Sequence, residues 1–326
     1  MKIVVSIPVH EQSEVVLNQV NNIKKYVSDV VIVLHTSMDF CEEFDEFFNE
    51  HKKEFDDVFV NPTHIYVEWG DGALMDVHVS NFNYISSFMD FDYYILHASN
   101  DMYVKRGLEE YISKYDAGFQ RHIIKEPSQW WPGNKAIKDG QLYYMMDEVG
   151  SESLVASQVE GSFYKKNIFQ DIVDVIGKSE FLRDKGLKYT REEIVFPTIA
   201  NALIEKEKIG YPTVFSEVHT FDRMLWKTRH ITWGIFHRSG LYRIIPRYKY
   251  EQLEQRNEEK LAASINWKIS PFVVKKIIQS NKSFIRKNMY LNDDRTVYQL
   301  YDGNLYSVKR VNRDIKDKLR TYINSL

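Results

Sequence analysis

Hydrophobic positions open the chain in a period of two and then change to a period of three to four. Residues 2 to 9 read as a strand. His10, Glu11 and Ser13 then open a helix with Val16, Val20, Ile23 and Val27 on one face, and Asp29 to Leu34 is a second, mostly β-branched strand. Strand, helix, strand within the first 35 residues is the start of a βαβ unit and implies parallel pairing. Both strands end in polar tips, at His10 and at His35-Thr36-Ser37.

Residues 39 to 56 place Phe40, Phe44, Phe47, Phe48 and Phe55 as an apolar stripe on an acidic helix, which Asn61 and Pro62 break. A third strand is expected at His64 to Glu68, followed by the turn Trp69-Gly70-Asp71-Gly72 and a helix from about Leu74 to Phe88 carrying Asp76, His78 and Asn81. The stretch from Phe91 to Val104 is the most informative. Tyr93, Tyr94, Ile95 and Leu96 form an uncharged run fit for a central strand covered on both faces, and His97, Ser99, Asn100 and Asp101 follow at once. In open α/β sheets ligands are met beyond the carboxyl ends of the strands. The same three residues, Ser99 to Asp101, also make good turns and caps for the short helix expected at Gly107 to Tyr115.

Residues 116 to 150 show no clear period and hold Trp130, Trp131, Pro132 and Gly133, a binding loop or a loop anchored by its two Trp. Glu160 to Tyr164 precedes a helix at Asn167 to Ile176. Thr190 is placed to cap another, which contains Glu192, Glu193, Phe196, Pro197 and Thr198 and runs to about Glu207. Arg223 to Arg247 interleaves Arg and Lys with Trp and His, either a solvated face or a diphosphate-binding surface. A charged helix at 249 to 261, a basic cluster of Lys282, Arg286 and Lys287, a hairpin from Thr296 to Val308 turning at Asp302-Gly303, and an amphipathic helix complete the chain.

Composition narrows the function. The 326 residues are 44% hydrophobic and 27% charged, as in ordinary globular proteins. With 43 basic against 46 acidic residues, no overall field favours nucleic acid, so an anion site has to be local. The single cysteine, Cys41, rules out an internal disulfide framework and fits a reducing compartment. The opening apolar run is too short for a signal peptide or a spanning helix, so a soluble, cytoplasmic protein is expected. Aromatic content of 14%, with 21 Tyr and 19 Phe, supplies surfaces for sugars and bases as well as core volume.

Several of these stretches, in the same order, resemble the core-2/I-branching β-1,6-N-acetylglucosaminyltransferase family, which also holds peptide O-xylosyltransferases and bacterial relatives. The resembling segments are the strand tips at His10 and Leu34-His35, Trp69 with Asp76 and Asn81, Tyr93 to Val104 with Leu108, Glu109 and Tyr111, and Gly161-Ser162-Phe163-Tyr164. Two more carry chemistry. Arg191 to Thr198 is similar to the segment whose second acid is the catalytic base, which implies Glu193, with Glu192 next to it. Ser283 to Lys287 is similar to a segment whose Lys contacts the donor diphosphate, which implies Lys287 with Arg286. Asn288 stands where an aromatic is usual, and the disulfide cysteines and membrane anchor of vertebrate members are absent from this sequence.

The resemblance implies a GT-A-like α/β fold over residues 1 to 240, with a C-terminal helical and hairpin extension over 241 to 326 completing the diphosphate site. It further implies inverting transfer from a UDP-sugar to a glycan hydroxyl with no divalent metal. Donor contacts would come from His10, His35, Asp101, Arg229, Arg286 and Lys287, and acceptor contacts from Trp69, Ser99, Asn100, Trp130 and Glu160. The residues themselves leave two alternatives open. One is a transferase holding Mg²⁺ or Mn²⁺ at Asp101, although the turn Ser99-Asn100-Asp101 is one carboxylate short of the usual pair. The other is a carbohydrate-binding protein without turnover. Glu193 also has a purely structural reading, as an acid in the first turn of a helix.

Overall fold

The computed structural model describes residues 1–10, 12–68, 70, 72–124, 126, 131–178, 188–215, 238–240, 243–244, 246, 249, 271–279, 289–290, 297–298 and 305–326. The elements in order are β1 (Ile3–Val9), α1 (Ser13–Tyr26), β2 (Val30–Thr36), α2 (Cys41–Glu50), β3 (Val58–Val60), α3 (Ala73–Ser86), β4 (Tyr93–Leu96), β5 (Met102–Tyr103) and α4 (Leu108–Ile112). Then come β6 (Ala117–Gly118), β7 (His122–Ile123), α5 (Trp131–Ala136), α6 (Gly140–Val149), β8 (Val155–Ala156), β9 (Phe163–Lys165), α7 (Lys166–Lys178) and α8 (Glu192–Leu203). The last are β10 (Ile209–Gly210), β11 (Val214–Phe215), α9 (Pro271–Gln279), β12 (Met289–Tyr290), β13 (Val297–Tyr298), β14 (Ser307–Val308) and α10 (Lys318–Asn324).

Seven strands form the central sheet in the order β10-β6-β9-β4-β1-β2-β3. Only β9 runs antiparallel to its neighbours, β4 and β6; β1 pairs in parallel with both β2 and β4. This is the mostly parallel, helix-flanked α/β sheet expected of a GT-A-like fold. Alternate side chains sort to its two faces, as the pleat requires. Val4, Val33, Tyr94 and Leu96 pack with Phe82 of α3, Phe169 of α7 and Phe196 of α8. Val5, Ile7, Ile32 and Ile95 pack with Val16, Val20 and Ile23 of α1 and with Phe44 of α2. Because both faces are covered, every residue of β2 and of β4 is buried.

A three-stranded sheet, β11-β14-β5, lies beside the carboxyl ends of the main strands. Its middle strand comes from the far end of the chain. β14 runs parallel to β11 and antiparallel to β5, over a small core of Met102, Phe215, Val308, Val311, Leu319 and Ile323.

The structure corrects several local expectations. The third strand is Val58–Val60, not His64 to Glu68, because only the earlier run lies in register with β2. The acidic helix stops at Glu50, and Phe55 reaches the core from the turns after it. Residues 116 to 150 are more regular than expected. Leu142, Met145 and Met146 form a helical stripe in α6, which Asp139 caps by accepting the Gln141 N–H. Helix α8 ends at Leu203 and not near Glu207. Val308 belongs to β14 and not to a hairpin starting at Thr296; the described hairpin pairs β12 with β13. The helix expected at 249 to 261 and the turn at Asp302-Gly303 lie outside the described residues. Among the described residues no helix is long and apolar enough to cross a membrane.

Gly161 joins the two sheets at the site's edge. Its N–H donates to the Leu96 carbonyl at 2.7 Å, and its own carbonyl accepts from the Thr213 N–H at 2.9 Å. It has φ +78°, and a Cβ there would stand 2.5 Å from the backbone nitrogen of Val214. Backbone strain and overpacking act together, so Gly161→Ala is expected to destabilise the fold by roughly 2–5 kcal/mol. Urea unfolding of the two proteins checks this, and an unchanged midpoint would contradict it.

Candidate functional site

The site begins with a proline in a helix. Pro197 lies in the interior of α8 and has no N–H to give the carbonyl four residues earlier. That carbonyl belongs to Glu193, and it accepts instead the Ser157 N–H at 2.8 Å. The loop after β8 is thereby fastened to the first turn of α8. Gln158 continues the tie, donating from Nε2 to the carbonyls of Glu160 and Val214, each at 3.0 Å. The segment of Glu160 is thereby tied to the helix of Glu193, close enough for the charge of Glu160 to act on Glu193.

Glu193 is half-buried, whereas Glu192 is only 3% exposed. Of the two adjacent acids, Glu193 is the more exposed. The Thr190 hydroxyl donates to its Oε2 at 2.9 Å, so Thr190 serves this carboxylate and not, as expected, as the side-chain cap of the helix. Glu193's pKa is pushed up to about 7, first by burial and then by the negative Glu160, with Lys309 and Arg310 opposing. Glu160 moves the other way. Burial alone would raise it, but the Lys309 ammonium 2.7 Å from Oε1 outweighs burial and holds it below the ordinary carboxylate range. Two carboxylates with their pKa values driven apart can play two roles: one remains an anion and the other exchanges a proton near neutrality.

Lys309 arrives with β14, where its own N–H donates to the Phe215 carbonyl at 2.8 Å. The next residues stay with the site. Val311 N–H donates to the Asn100 carbonyl at 3.1 Å, and Arg310 is exposed and held at φ +59°. Arg313 donates from Nη2 to His10 Nε2 at 3.1 Å and to Ser99 Oγ at 3.0 Å. The buried Arg320 keeps this return path in place by donating to the Asn312 carbonyl at 2.9 Å and to Asn18 Oδ1 at 2.7 Å.

The polar strand tips divide into exposed and structural members. His10 is exposed beside Arg313. His35 is 1% exposed and accepts the Ile65 N–H at Nε2. Burial, reinforced by His64, pushes its pKa down to about 4, so it is neutral at pH 7. His78 lies deeper, 2.8 Å from the Ser6 hydroxyl, and burial brings it to about 3. Asp101 is fully buried. Its Oδ2 accepts the Ala98 N–H at 2.9 Å and lies 3.3 Å from His97 Nδ1, so in this conformation the carboxylate holds the turn together. Asn81, singled out in the sequence, donates to Ser6 Oγ and accepts from Asn61, tying α3 to β1.

The structure therefore brings together His10, Ser99, Asn100, Asp101, Glu160 and Glu193, with His35 at the neighbouring strand tip. Trp69, Trp130, Arg229, Arg286 and Lys287 lie outside the described residues. Lys309, Arg310 and Arg313 were missed from the sequence. The signal available was a third basic group, Lys309-Arg310 and Arg313, directly after the apolar alternation of the last hairpin. Among the described residues no group of three or more His, Cys, Asp or Glu is arranged to hold a metal ion.

No family model matches the chain, and no curated protein matches it. The resemblance to the core-2/I-branching family therefore rests on the separated segments. Among solved structures, the apo form of the glycosyltransferase GlyE from Streptococcus pneumoniae TIGR4 is similar over 71% of this chain, with 10% identity and a TM-score of 0.37. The chain covers 51% of GlyE's length, a likeness too slight to transfer a role to any residue.

Because Glu193's pKa is raised, the folded state holds its proton more tightly than the unfolded chain. That preference adds stability below the ordinary carboxylate range, and the stability is lost as pH rises through about 7. Glu193→Gln removes this dependence. Relative to the parent, the variant's melting temperature is expected to rise more at pH 8 than at pH 5. Thermal melts at the two pH values check it, and equal differences would show that Glu193 titrates alike in both states.

Proposed function

We propose that this chain is an inverting glycosyltransferase of the core-2/I-branching type, moving an N-acetylglucosamine- or xylose-like sugar from a UDP-sugar to a glycan hydroxyl. The observation that supports this most is the half-buried Glu193, raised to about 7 and paired with a Glu160 kept anionic by Lys309, beyond the carboxyl ends of parallel strands. A base poised near neutrality is what proton removal from a sugar hydroxyl requires.

In this reading the acceptor hydroxyl attacks the anomeric carbon while Glu193 takes its proton. The bond from that carbon to the phosphate oxygen breaks, and the nucleoside diphosphate leaves with the electron pair. No sugar becomes attached to the protein, so one displacement inverts the anomeric configuration. Glu160, whose Oε2 is buried and has no hydrogen-bond partner among the described residues, is the acceptor-side contact and receives a second substrate hydroxyl. Negative charge grows on the leaving diphosphate and needs fixed cations or a metal. Arg313 at the tips of β1 and β4, and Arg310 close to Glu160, supply cations, with Arg286, Lys287 and Arg229 assigned to the same task by resemblance and composition. The reaction then requires no divalent ion. Residues 1 to 240 form the catalytic part, and the extension from 241 returns to complete the donor site.

On the resemblance, the work is placed in the cytoplasm on a bacterial surface polysaccharide, with the basic, aromatic stretch from Arg223 to Arg247 as the contact to the inner face of the membrane.

The test is hydrolysis of a panel of nucleotide sugars by the parent and by Glu193→Gln, each with and without EDTA. UDP release that survives EDTA and falls at least about a hundredfold in the variant is expected. Release abolished by EDTA would move charge neutralisation to a metal. No release from any donor would leave a carbohydrate-binding protein.

A further inference from the structure

Among the described residues, Lys309 is the cation whose ammonium is bound to a carboxylate of the pair, and it is delivered by a strand that belongs to neither carboxylate's element. Its side chain is 11% exposed and that of Glu160 16%, with 2.7 Å between Nζ and Oε1. A pair so enclosed is far less screened by solvent than a surface salt bridge. Three contacts fix the strand that carries it. Tyr306 N–H donates to the Thr213 carbonyl at 2.8 Å, Val104 N–H to the Tyr306 carbonyl at 2.9 Å, and Lys309 N–H to the Phe215 carbonyl. Glu160 is equally fixed, through Gln158 and through Gly161.

We propose that Lys309 is the positioning residue of this site: docked with β14, it locks Glu160 as a permanent anion and leaves Glu193 as the group that exchanges the proton. Its catalytic meaning rests on the transferase reading, and its electrostatic part on the enclosed 2.7 Å contact between Lys309 and Glu160. It also makes a docked C-terminal strand a condition for a working base, since the main sheet with Glu160 and Glu193 is built wholly from residues before 216.

Other groups among the described residues also act on the pair. Arg310, after β14, acts in the same sense as Lys309 on both carboxylates. His78 on α3 feels Glu160 but is neutral at pH 7 because of burial. Asp101, in the turn after β4, acts on Lys309 and favours its charged form, as Glu160 does. Thr190 supplies a hydroxyl and no charge. Removing the ammonium therefore leaves the charges of Glu160 and Glu193 opposed, among the described residues, by Arg310. Like charges so placed give up their second proton with difficulty.

The experiment follows the Glu193 carboxyl carbon by NMR in full-length protein labelled on glutamate, its signal identified by its loss in Glu193→Gln. Lys309→Met is expected to raise the Glu193 midpoint by at least about one pH unit. Lys309→Arg is expected to keep it near the parent value, and Lys309→Met with Glu160→Gln to bring it back down. Should Lys309→Met fail to fold, Glu160→Gln alone is expected to lower the midpoint by about one unit. A midpoint unmoved by Lys309→Met, or by Glu160→Gln, overturns the proposal. Because this readout uses no substrate, it stands apart from the function: the expected shifts without sugar transfer from any donor would uphold the electrostatic role and sink the transferase reading.

Discussion

One hydrogen bond that α8 does not make governs the site. Pro197 leaves the carbonyl of Glu193 without its helical donor, and the Ser157 N–H fills the place. A proline inside a helix ordinarily costs about 3 kcal/mol. Here that cost is offset by a tertiary hydrogen bond, which fastens the loop of Glu160 to the helix of Glu193. A second tie lies at β8, where the Thr198 side chain accepts the Val155 N–H. Backbone fastening is what makes their approach a fixed property of the fold.

Their separate electrostatics follow from that approach. Burial raises both carboxyl groups, but among the described residues it is Glu160 that has a cation in contact, so the pair splits into an anion and a group titrating near 7. The arrangement works against stability, as active sites often do, because above neutrality it holds two like charges together in a poorly hydrated place. The stabilising partner comes from the end of the chain. Lys309 to Arg313 enter between β11 and β5, and Arg320, buried beneath them, satisfies the Asn312 carbonyl. Residues from both halves of the sequence thus meet where the parallel strands end.

Much of the frame was readable from the residues. The alternation of β1 and the β-branched run of β2 identified strands, the uncharged run of β4 identified one covered on both faces, and the three turned out to be neighbours in one parallel sheet. The polar tips were visible because His10, His35 and Asp101 each follow an apolar run. Their division into one exposed and two buried groups was not, since it depends on which side of each tip the chain covers. The third strand was misplaced because Val58 to Val60 is short and follows an acidic helix, whereas His64 to Glu68 alternates well but has no strand beside it. Glu193 was found by resemblance and not by pattern. Lys309, Arg310 and Arg313 were passed over because pairing in the sheet, not proximity in sequence, brings them to the carboxylates.

The central claim is that Glu193 faces a reacting sugar whose phosphate lies against the cations of the returning segment. The most direct measurement is a crystal structure with an intact UDP-sugar and an acceptor glycan. The account predicts the β-phosphate against Arg313 or Arg310, and the attacking hydroxyl within hydrogen-bond reach of Glu193 and about 3–3.5 Å from the anomeric carbon, opposite the phosphate. A nucleotide bound elsewhere, or a sugar whose anomeric carbon presents its phosphate to Glu193, would contradict it.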